Sequence, residues 1–300
     1  MSEPAPDRPT DFPTEAARRL VETALEEDLG PEGVDVTSAA TIPADQTATG
    51  HVVAREAGVL AGAPVIALVL EGVAARAGGT PPSLDVRIGD GARIEAGDVI
   101  AVLDGPVRQV LMAERTLLNV MSRLSGVASH TRRWADALAG TRCTVLDTRK
   151  TTPGMRELEK YAVRAGGGTN KRMGLYDVAM IKDNHVHAAG GVGAAYAAIR
   201  ERFPDVTIEV EVESTEQALE ALEAGSRFLM CDNMSTDLLR TTVATAREWV
   251  AERGERVEIE ATGGLSLDVA VDYAATGIDY MSVGGLTHSS PIIDLALDLV

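Results

Sequence analysis

The sequence predicts an α/β protein in two parts, a small antiparallel sheet followed by a larger parallel one. Three observations carry this. At 300 residues the chain is long enough for one large α/β domain and a smaller one. Its first third holds short alternating runs broken by Gly-Asp turns, and from Thr144 onward apolar strands alternate with helical stretches.

From Thr14 to Asp28, apolar residues at Ala17, Leu20, Val21, Ala24 and Leu25 recur with helical spacing, and the pattern stops near Gly30. One amphipathic helix opens the fold. Ala48 to Arg55 and Leu84 to Ile88 alternate as strands do, and after the Gly89-Asp90-Gly91 turn Gly97 to Leu103 reads as a Gly-Asp followed by an apolar strand. These form the small sheet. Its Gly-Asp-Gly turn and later Gly-Asp resemble biotin and lipoyl carrier domains, but a carrier needs a lysine at a hairpin tip, and no lysine precedes Lys150. A carrier role is therefore rejected.

After a long helical pattern from Gln109 to Ala139, strands are expected at Thr144–Leu146, Val178–Ile181, Thr207–Val212, Arg227–Cys231, Val257–Glu260 and Tyr280–Val283. Helices are expected at Glu216–Ala224, Asp237–Arg253 and Ser266–Thr276. Such repetition argues a parallel sheet, doubly wound or closed into a barrel. No Gly-x-Gly-x-x-Gly turn or Walker loop follows the first strand, which favours the barrel.

Composition excludes several classes of partner. The formal charge of −17 repels nucleic acid and anionic membranes at long range. The most apolar stretch, Val59 to Ala74, is interrupted by Glu71 and is shorter than the roughly 20 residues a bilayer requires. The acidic, proline-rich start, Met-Ser-Glu-Pro-Ala-Pro-Asp, is unlike a signal peptide, so a cytoplasmic location is expected. Cys143 and Cys231 lie in apolar runs without metal spacing and read as buried thiols. The only lysines are Lys150, Lys160, Lys171 and Lys182, all in one segment of an otherwise arginine-based chain. Lysine is thus kept where a compact ammonium is wanted. Scarce lysine on an acidic surface also suggests adaptation to high salt.

The residues that end the expected strands are Asp147-Thr148-Arg149-Lys150, Lys182-Asp183-Asn184-His185, Glu211, Asp232-Asn233, Thr262-Gly263-Gly264 and Gly284-Gly285. In a barrel all of them meet at one mouth, where catalytic groups sit and the last two loops often bind phosphate. Glycine lets backbone amides approach an anion closely. Arg164 to Arg172 adds a glycine-rich loop ending in Lys171-Arg172. With Arg149, Lys150 and Lys182 it gathers positive charge for a multiply anionic ligand. Glu211 and Asp232 suit either magnesium on a pyrophosphate, positive charge developing on a ribose carbon, or salt bridges to Lys150 or Lys182.

Three motifs, Ala113-Glu114-Arg115-Thr116-Leu117-Leu118-Asn119, Asp147 to Gly154, and Ile181-Lys182-Asp183-Asn184-His185, resemble those of the quinolinate phosphoribosyltransferase family. The likeness runs from Glu27-Asp28-Leu29-Gly30 and Asp35-Val36-Thr37-Ser38 to Ser282 through Ser289. It implies an N-terminal α/β sandwich domain over 12–125, joined by residues 289–300, and an incomplete, open α/β barrel over 126–288. It further implies a homodimer or higher even oligomer in which one subunit's small domain covers the other's barrel mouth. The activity implied converts quinolinate and phosphoribosyl pyrophosphate, with magnesium, to nicotinate mononucleotide, pyrophosphate and carbon dioxide.

Carried over by position, Arg149, Lys150 and Arg172 would bind the quinolinate carboxylates, with Arg115 arriving from the partner subunit. Lys182, Glu211 and Asp232 would face the ribose and magnesium pyrophosphate, with Lys150, Lys182, Glu211 and Asp232 acting in catalysis. Thr262, Gly263, Gly264, Gly284 and Gly285 would cradle the 5-phosphate. Lys171 stands where many relatives carry histidine and is assigned to substrate as well, and Thr262-Gly263-Gly264 stands where serine and asparagine are common. A related protein associated with molybdenum transport is the near rival, and the set Arg115, Arg149, Lys150, Arg172 and Lys182 favours quinolinate. A non-catalytic sensor of phosphorylated metabolites would have lost Glu211 or Asp232, and both are present.

Overall fold

The computed structural model describes residues 11–300, so the acidic start read above lies outside the described residues. Two compact units are present, one of residues up to 132, 151–167 and 285–300, the other of 133–150 and 168–284.

In the first unit, helix α1 (Thr14–Leu29) buries Ala17, Val21 and Leu25, three residues at helical spacing, and packs on α3 (Val65–Ala77), which holds much of the apolar stretch Val59 to Ala74. Helix α2 (Val36–Thr41) is started by Asp35, whose carboxylate accepts from Thr37 N at 2.9 Å and Ser38 N at 3.2 Å. Strands β1 (Thr47–Ala54), β3 (Ser83–Val86), β5 (Val99–Pro106) and β12 (Leu295–Leu299) form an antiparallel sheet in the order β12-β1-β5-β3. The carboxyl terminus thus returns to β1, with Gly50 opposite Leu299 and Ala54 opposite Leu295. Strands β2 (Gly58–Val59) and β4 (Arg93–Ile94) make a separate two-stranded ladder.

Helix α4 (Val107–Ala137) follows β5 without a break. Helix α5 (Arg156–Ala165) and the short α11 (Gly285–His288) also belong to this unit. Side chains of α5 pack within this unit. Tyr161 meets the Phe12 ring edge-on at 5.1 Å and donates to Asp90 at 2.7 Å, and Glu159 is paired with Arg123 of α4. Asp90 also accepts from Gly62 N and Ala63 N, so the Gly-Asp-Gly turn locks a neighbouring loop.

The second unit is a six-stranded parallel sheet of β6 (Thr144–Leu146), β7 (Val178–Ile181), β8 (Thr207–Val212), β9 (Phe228–Asp232), β10 (Glu258–Thr262) and β11 (Tyr280–Ser282). Its order is β6-β11-β10-β9-β8-β7, so the first strand pairs with the last and only the β6/β7 seam is unjoined. This is an open barrel. Helices α6 (Asp183–Ala189), α7 (Val192–Arg202), α8 (Thr215–Glu223), α9 (Thr236–Ala251) and α10 (Ala270–Ala274) connect the strands. The expected helix at 266–276 is a turn of 3-10 helix, Leu267–Val269, running into the five-residue α10. Among the described residues no helix is long and apolar enough to cross a membrane.

Candidate active site

Strands covered on both faces normally read as continuous apolar runs. Those of the open barrel do not. In β8, Ile208, Val210 and Val212 are buried, and the alternate positions carry Glu209 and Glu211. In β10, Ile259 and Ala261 are buried between Glu258, Glu260 and Thr262. In β9, Leu229 and Cys231 alternate with Phe228, Met230 and Asp232. Side chains two apart share a face, so each strand directs polar groups to one side of the sheet.

At the carboxyl ends these groups meet. Lys182, just past β7, ion-pairs with Glu211 of the adjacent β8. Asp232 lies in register with Thr262, and Asn233 Nδ2 donates to its carboxylate at 2.9 Å. Asn233 takes a left-handed φ of 52° and donates its backbone N–H to Thr262 O at 3.0 Å. Gly263 follows with a φ of 94°, and a Cβ there would lie 2.4 Å from Asn233 Oδ1, so no other residue fits. Gly264 is also left-handed, with φ 55°. Gly284 and Gly285 are not among the glycines of positive φ, and Gly285 begins α11. His185 Nδ1 accepts from Lys182 N at 3.0 Å, which makes it the local brace for Lys182.

On the β6 side, Thr169 fills part of the seam by donating to Val145 O at 2.9 Å. Asp147, fully buried, accepts from Asn170 Nδ2 at 2.6 Å and Lys171 N at 2.9 Å. The glycine-rich loop is thereby fastened to the end of β6, which presents Arg172 beside Arg149. Burial depresses the Arg172 pKa, the positive charge of Arg149 depresses it further, and Glu209 and Asp177 oppose. Arg149 Nε is buried without a hydrogen-bond partner, and Arg172 Nη1 donates to Val178 O at 3.1 Å. Two guanidinium groups that repel each other across a partly dry space are chemically suited to an anionic ligand. Burial opposes ionisation of Asp177, but the amides of Met173 and Gly174 hold its carboxyl below the usual range and shape the turn after Arg172.

Three expected site residues lie differently from the rest. Lys171 is turned into the barrel, where Nζ sits 2.5 Å from Glu260 Oε2 and 3.3 Å from Glu209 Oε2, a layer below Glu211 and Thr262. Two carboxylates hold its ammonium inside the barrel. Lys150 is exposed, and its backbone N–H donates to Thr148 Oγ1 at 3.1 Å. Arg115 is on α4 of the first unit, largely exposed and 2.6 Å from Glu114.

Asn170, Glu209 and Glu260 were not selected from sequence, and Asp147 was read only as a strand-end residue at the mouth. The signal for the two glutamates was available in Ile208-Glu209-Val210-Glu211-Val212 and in Glu258-Ile259-Glu260-Ala261, where buried strands carry acid at every second position. Toward the amino ends of the strands, a cavity of about 330 Å³ is lined by Asn170, Lys171, Arg172, Glu209, Phe228 and Tyr280. Among the described residues no three His, Cys, Asp or Glu side chains converge as a metal cage. Cys143 and Cys231 are free and buried, and burial pushes both thiols up to about 12.

Two family models match the chain, the N-terminal domain of quinolinate phosphoribosyl transferase over residues 35–125 and its C-terminal domain over 127–298. A nicotinate-nucleotide pyrophosphorylase [carboxylating] of Mycobacterium leprae (strain TN) is 45% identical over 97% of this chain and 99% of its own. A quinolinate phosphoribosyltransferase [decarboxylating] of Nicotiana glauca is 36% identical over 97% of this chain and 84% of its own. The solved nicotinate-nucleotide pyrophosphorylase of Francisella tularensis superimposes with a TM-score of 0.89 at 33% identity, covering 98% of this chain and 99% of that one. With both domains matched almost end to end, the chain belongs to the quinolinate phosphoribosyl transferase family.

Proposed function

We infer that the chain is a pentosyltransferase that joins quinolinate to the ribose of phosphoribosyl pyrophosphate, yielding nicotinate mononucleotide, pyrophosphate and carbon dioxide for NAD biosynthesis. The observation that carries the site assignment is the pairing of Arg149 with Arg172 at the barrel seam, one with a buried, unpartnered Nε. A planar dicarboxylate matches two guanidinium forks.

In this reading Arg149, Arg172 and Lys150 bind the quinolinate carboxylates and keep them ionised. The pyridine nitrogen attacks the anomeric carbon as its bond to pyrophosphate breaks, and Glu211 and Asp232 stabilise the positive charge that develops there. Lys182 orients Glu211 and faces the departing pyrophosphate. Once alkylated, the cationic ring nitrogen stabilises the electron pair left on the adjacent ring carbon when its carboxylate departs as carbon dioxide, and a solvent proton then binds that carbon. Thr262, Gly263, Gly264, Gly284 and Gly285 hold the 5-phosphate, with Gly263 the position at which a side chain is excluded.

Glu211 and Asp232 would face magnesium bound with the pyrophosphate, which would supply charge neutralisation to the leaving group. Two carboxylates, one already paired with Lys182, suit a metal held mainly by substrate oxygens better than a protein cage. We further propose a homodimer or higher even oligomer, in which the outward-facing Arg115 serves the site of a second copy, and a cytoplasmic location, with which two reduced, buried thiols accord. An acidic surface adapted to high salt belongs to the same proposal.

Arg149→Ala tests the assignment. It should raise KM for quinolinate by roughly a hundredfold, the scale of one charged bidentate contact, with little change in the magnesium requirement. Unaltered kinetics would remove Arg149 from the site.

A further inference from the structure

The first unit contains a buried ion pair with no place in the assignments above. Arg123 of α4 is 19% exposed and Glu159 of α5 is 0% exposed. Arg123 reaches Glu159 Oε1 from Nε at 3.0 Å and from Nη2 at 2.7 Å. The rest of the guanidinium donates to Ser290 O at 3.2 Å through Nη1 and to Thr287 O through Nη2. Glu159 in turn accepts from Thr152 N at 3.0 Å and Thr152 Oγ1 at 2.7 Å. A single arginine thus holds two chain segments, each beginning beside a substrate motif. Thr152 is two residues beyond Lys150, and Thr287 is two residues beyond Gly285.

The surroundings are rigid. Ile293 N donates to Ser122 O at 3.1 Å, and a Cβ on Gly126 would lie 2.0 Å from Pro291 O, so α4 and residues 290–293 touch backbone to backbone. His130 Nδ1 lies 2.9 Å from Ser290 Oγ on the same face. A buried pair is weak evidence for stability, because apolar replacement is often neutral, and its better-attested use is to fix one arrangement.

We propose that Arg123 and Glu159 are positioning residues that set the quinolinate loop and the 5-phosphate loop in register with one another. The proposal rests on the reading that Arg149-Lys150 and Gly284-Gly285 serve those two ligands. Arginine is required because one planar fork must satisfy a carboxylate and two carbonyls at once, which an ammonium on a flexible stem does not do.

The test uses the full-length enzyme and steady-state kinetics for both substrates, with Tm recorded for every variant. Arg123→Lys keeps the charge and the fold and should raise KM for both quinolinate and phosphoribosyl pyrophosphate by roughly tenfold, with kcat changing less. Thr152→Val removes the hydroxyl bond to Glu159 while leaving the backbone N–H bond, so it loosens only the first loop and should raise KM for quinolinate alone. An Arg123→Lys enzyme of lowered Tm with both KM values unchanged overturns the proposal, as does a Thr152→Val enzyme that affects both substrates equally. Arg149→Ala is the control. If it raises KM for quinolinate while Arg123→Lys raises neither, the positioning role fails and the site assignment stands; if it has no effect, the site assignment falls and takes this proposal with it.

Discussion

Lys171 Nζ lies 2.5 Å from Glu260 Oε2 inside the open barrel, with the lysine side chain 7% exposed and the glutamate 0%. Glu209 is the second carboxylate on the same ammonium, at 3.3 Å. Burial raises the Glu209 pKa, Lys171 opposes that shift, and Glu260 adds to it. A charge of one sign is thus held between two of the other. Lys171→Met leaves two buried carboxylates without a cation and should cost about 3–5 kcal/mol of unfolding free energy, measured by chemical denaturation. Adding Glu260→Gln should restore part of the loss. Equal stability of Lys171→Met and the parent would contradict this account of the barrel interior.

Asp90 provides a pH test in the first unit. Burial raises its carboxyl above the ordinary range, while the Tyr161 hydroxyl and the amides of Gly62 and Ala63 oppose. A group with a raised folded pKa binds an extra proton in the folded state. Its contribution is therefore complete below the unfolded value of about 4 and is lost as pH rises through the folded value. The difference in unfolding free energy between parent and Asp90→Asn should decline with rising pH across the mildly acidic range and then level off. A difference independent of pH would show that Asp90 titrates normally.

Asp35 behaves in the opposite sense. Its carboxyl is held below the usual range by the Ser38 hydroxyl first and then by the Ser38 and Thr37 amides, with burial opposing. Its stabilisation is present above pH about 4 and is lost as pH falls through the depressed value. Asp35→Ala should cost about 1 kcal/mol near neutral pH, the usual effect of removing an N-cap. The loss should shrink at low pH, and denaturant titrations at both pH values check it.

The charge of −17 predicts a response to salt. Self-repulsion of an acidic surface weakens as the Debye length shrinks. The unfolding midpoint should rise between low and molar potassium chloride, and activity should rise with it. A midpoint that falls or stays level would remove the high-salt reading.

Most of the parallel unit was legible because its strands are short apolar runs at regular spacing. Thr144–Leu146, Val178–Ile181 and Thr207–Val212 form where the pattern places them, and the later three shift by one or two residues at an end. The helix at 266–276 differs in detail, since its first turn is a 3-10 turn at Leu267–Val269 and only Ala270–Ala274 is regular helix. The place of α5 was not legible, because the ties of Tyr161 to Phe12 and Asp90 are long-range and leave no local periodicity. In the site, the cations and strand-end carboxylates were readable as residue types at strand ends. The direction of Lys171 was not, because it depends on two glutamates from strands far away in sequence.

The most direct measurement mixes purified protein with quinolinate, phosphoribosyl pyrophosphate and magnesium, at low and molar potassium chloride, and identifies the products. The account predicts nicotinate mononucleotide, pyrophosphate and carbon dioxide in equal amounts. Folded protein that forms none of them at either salt concentration would contradict it.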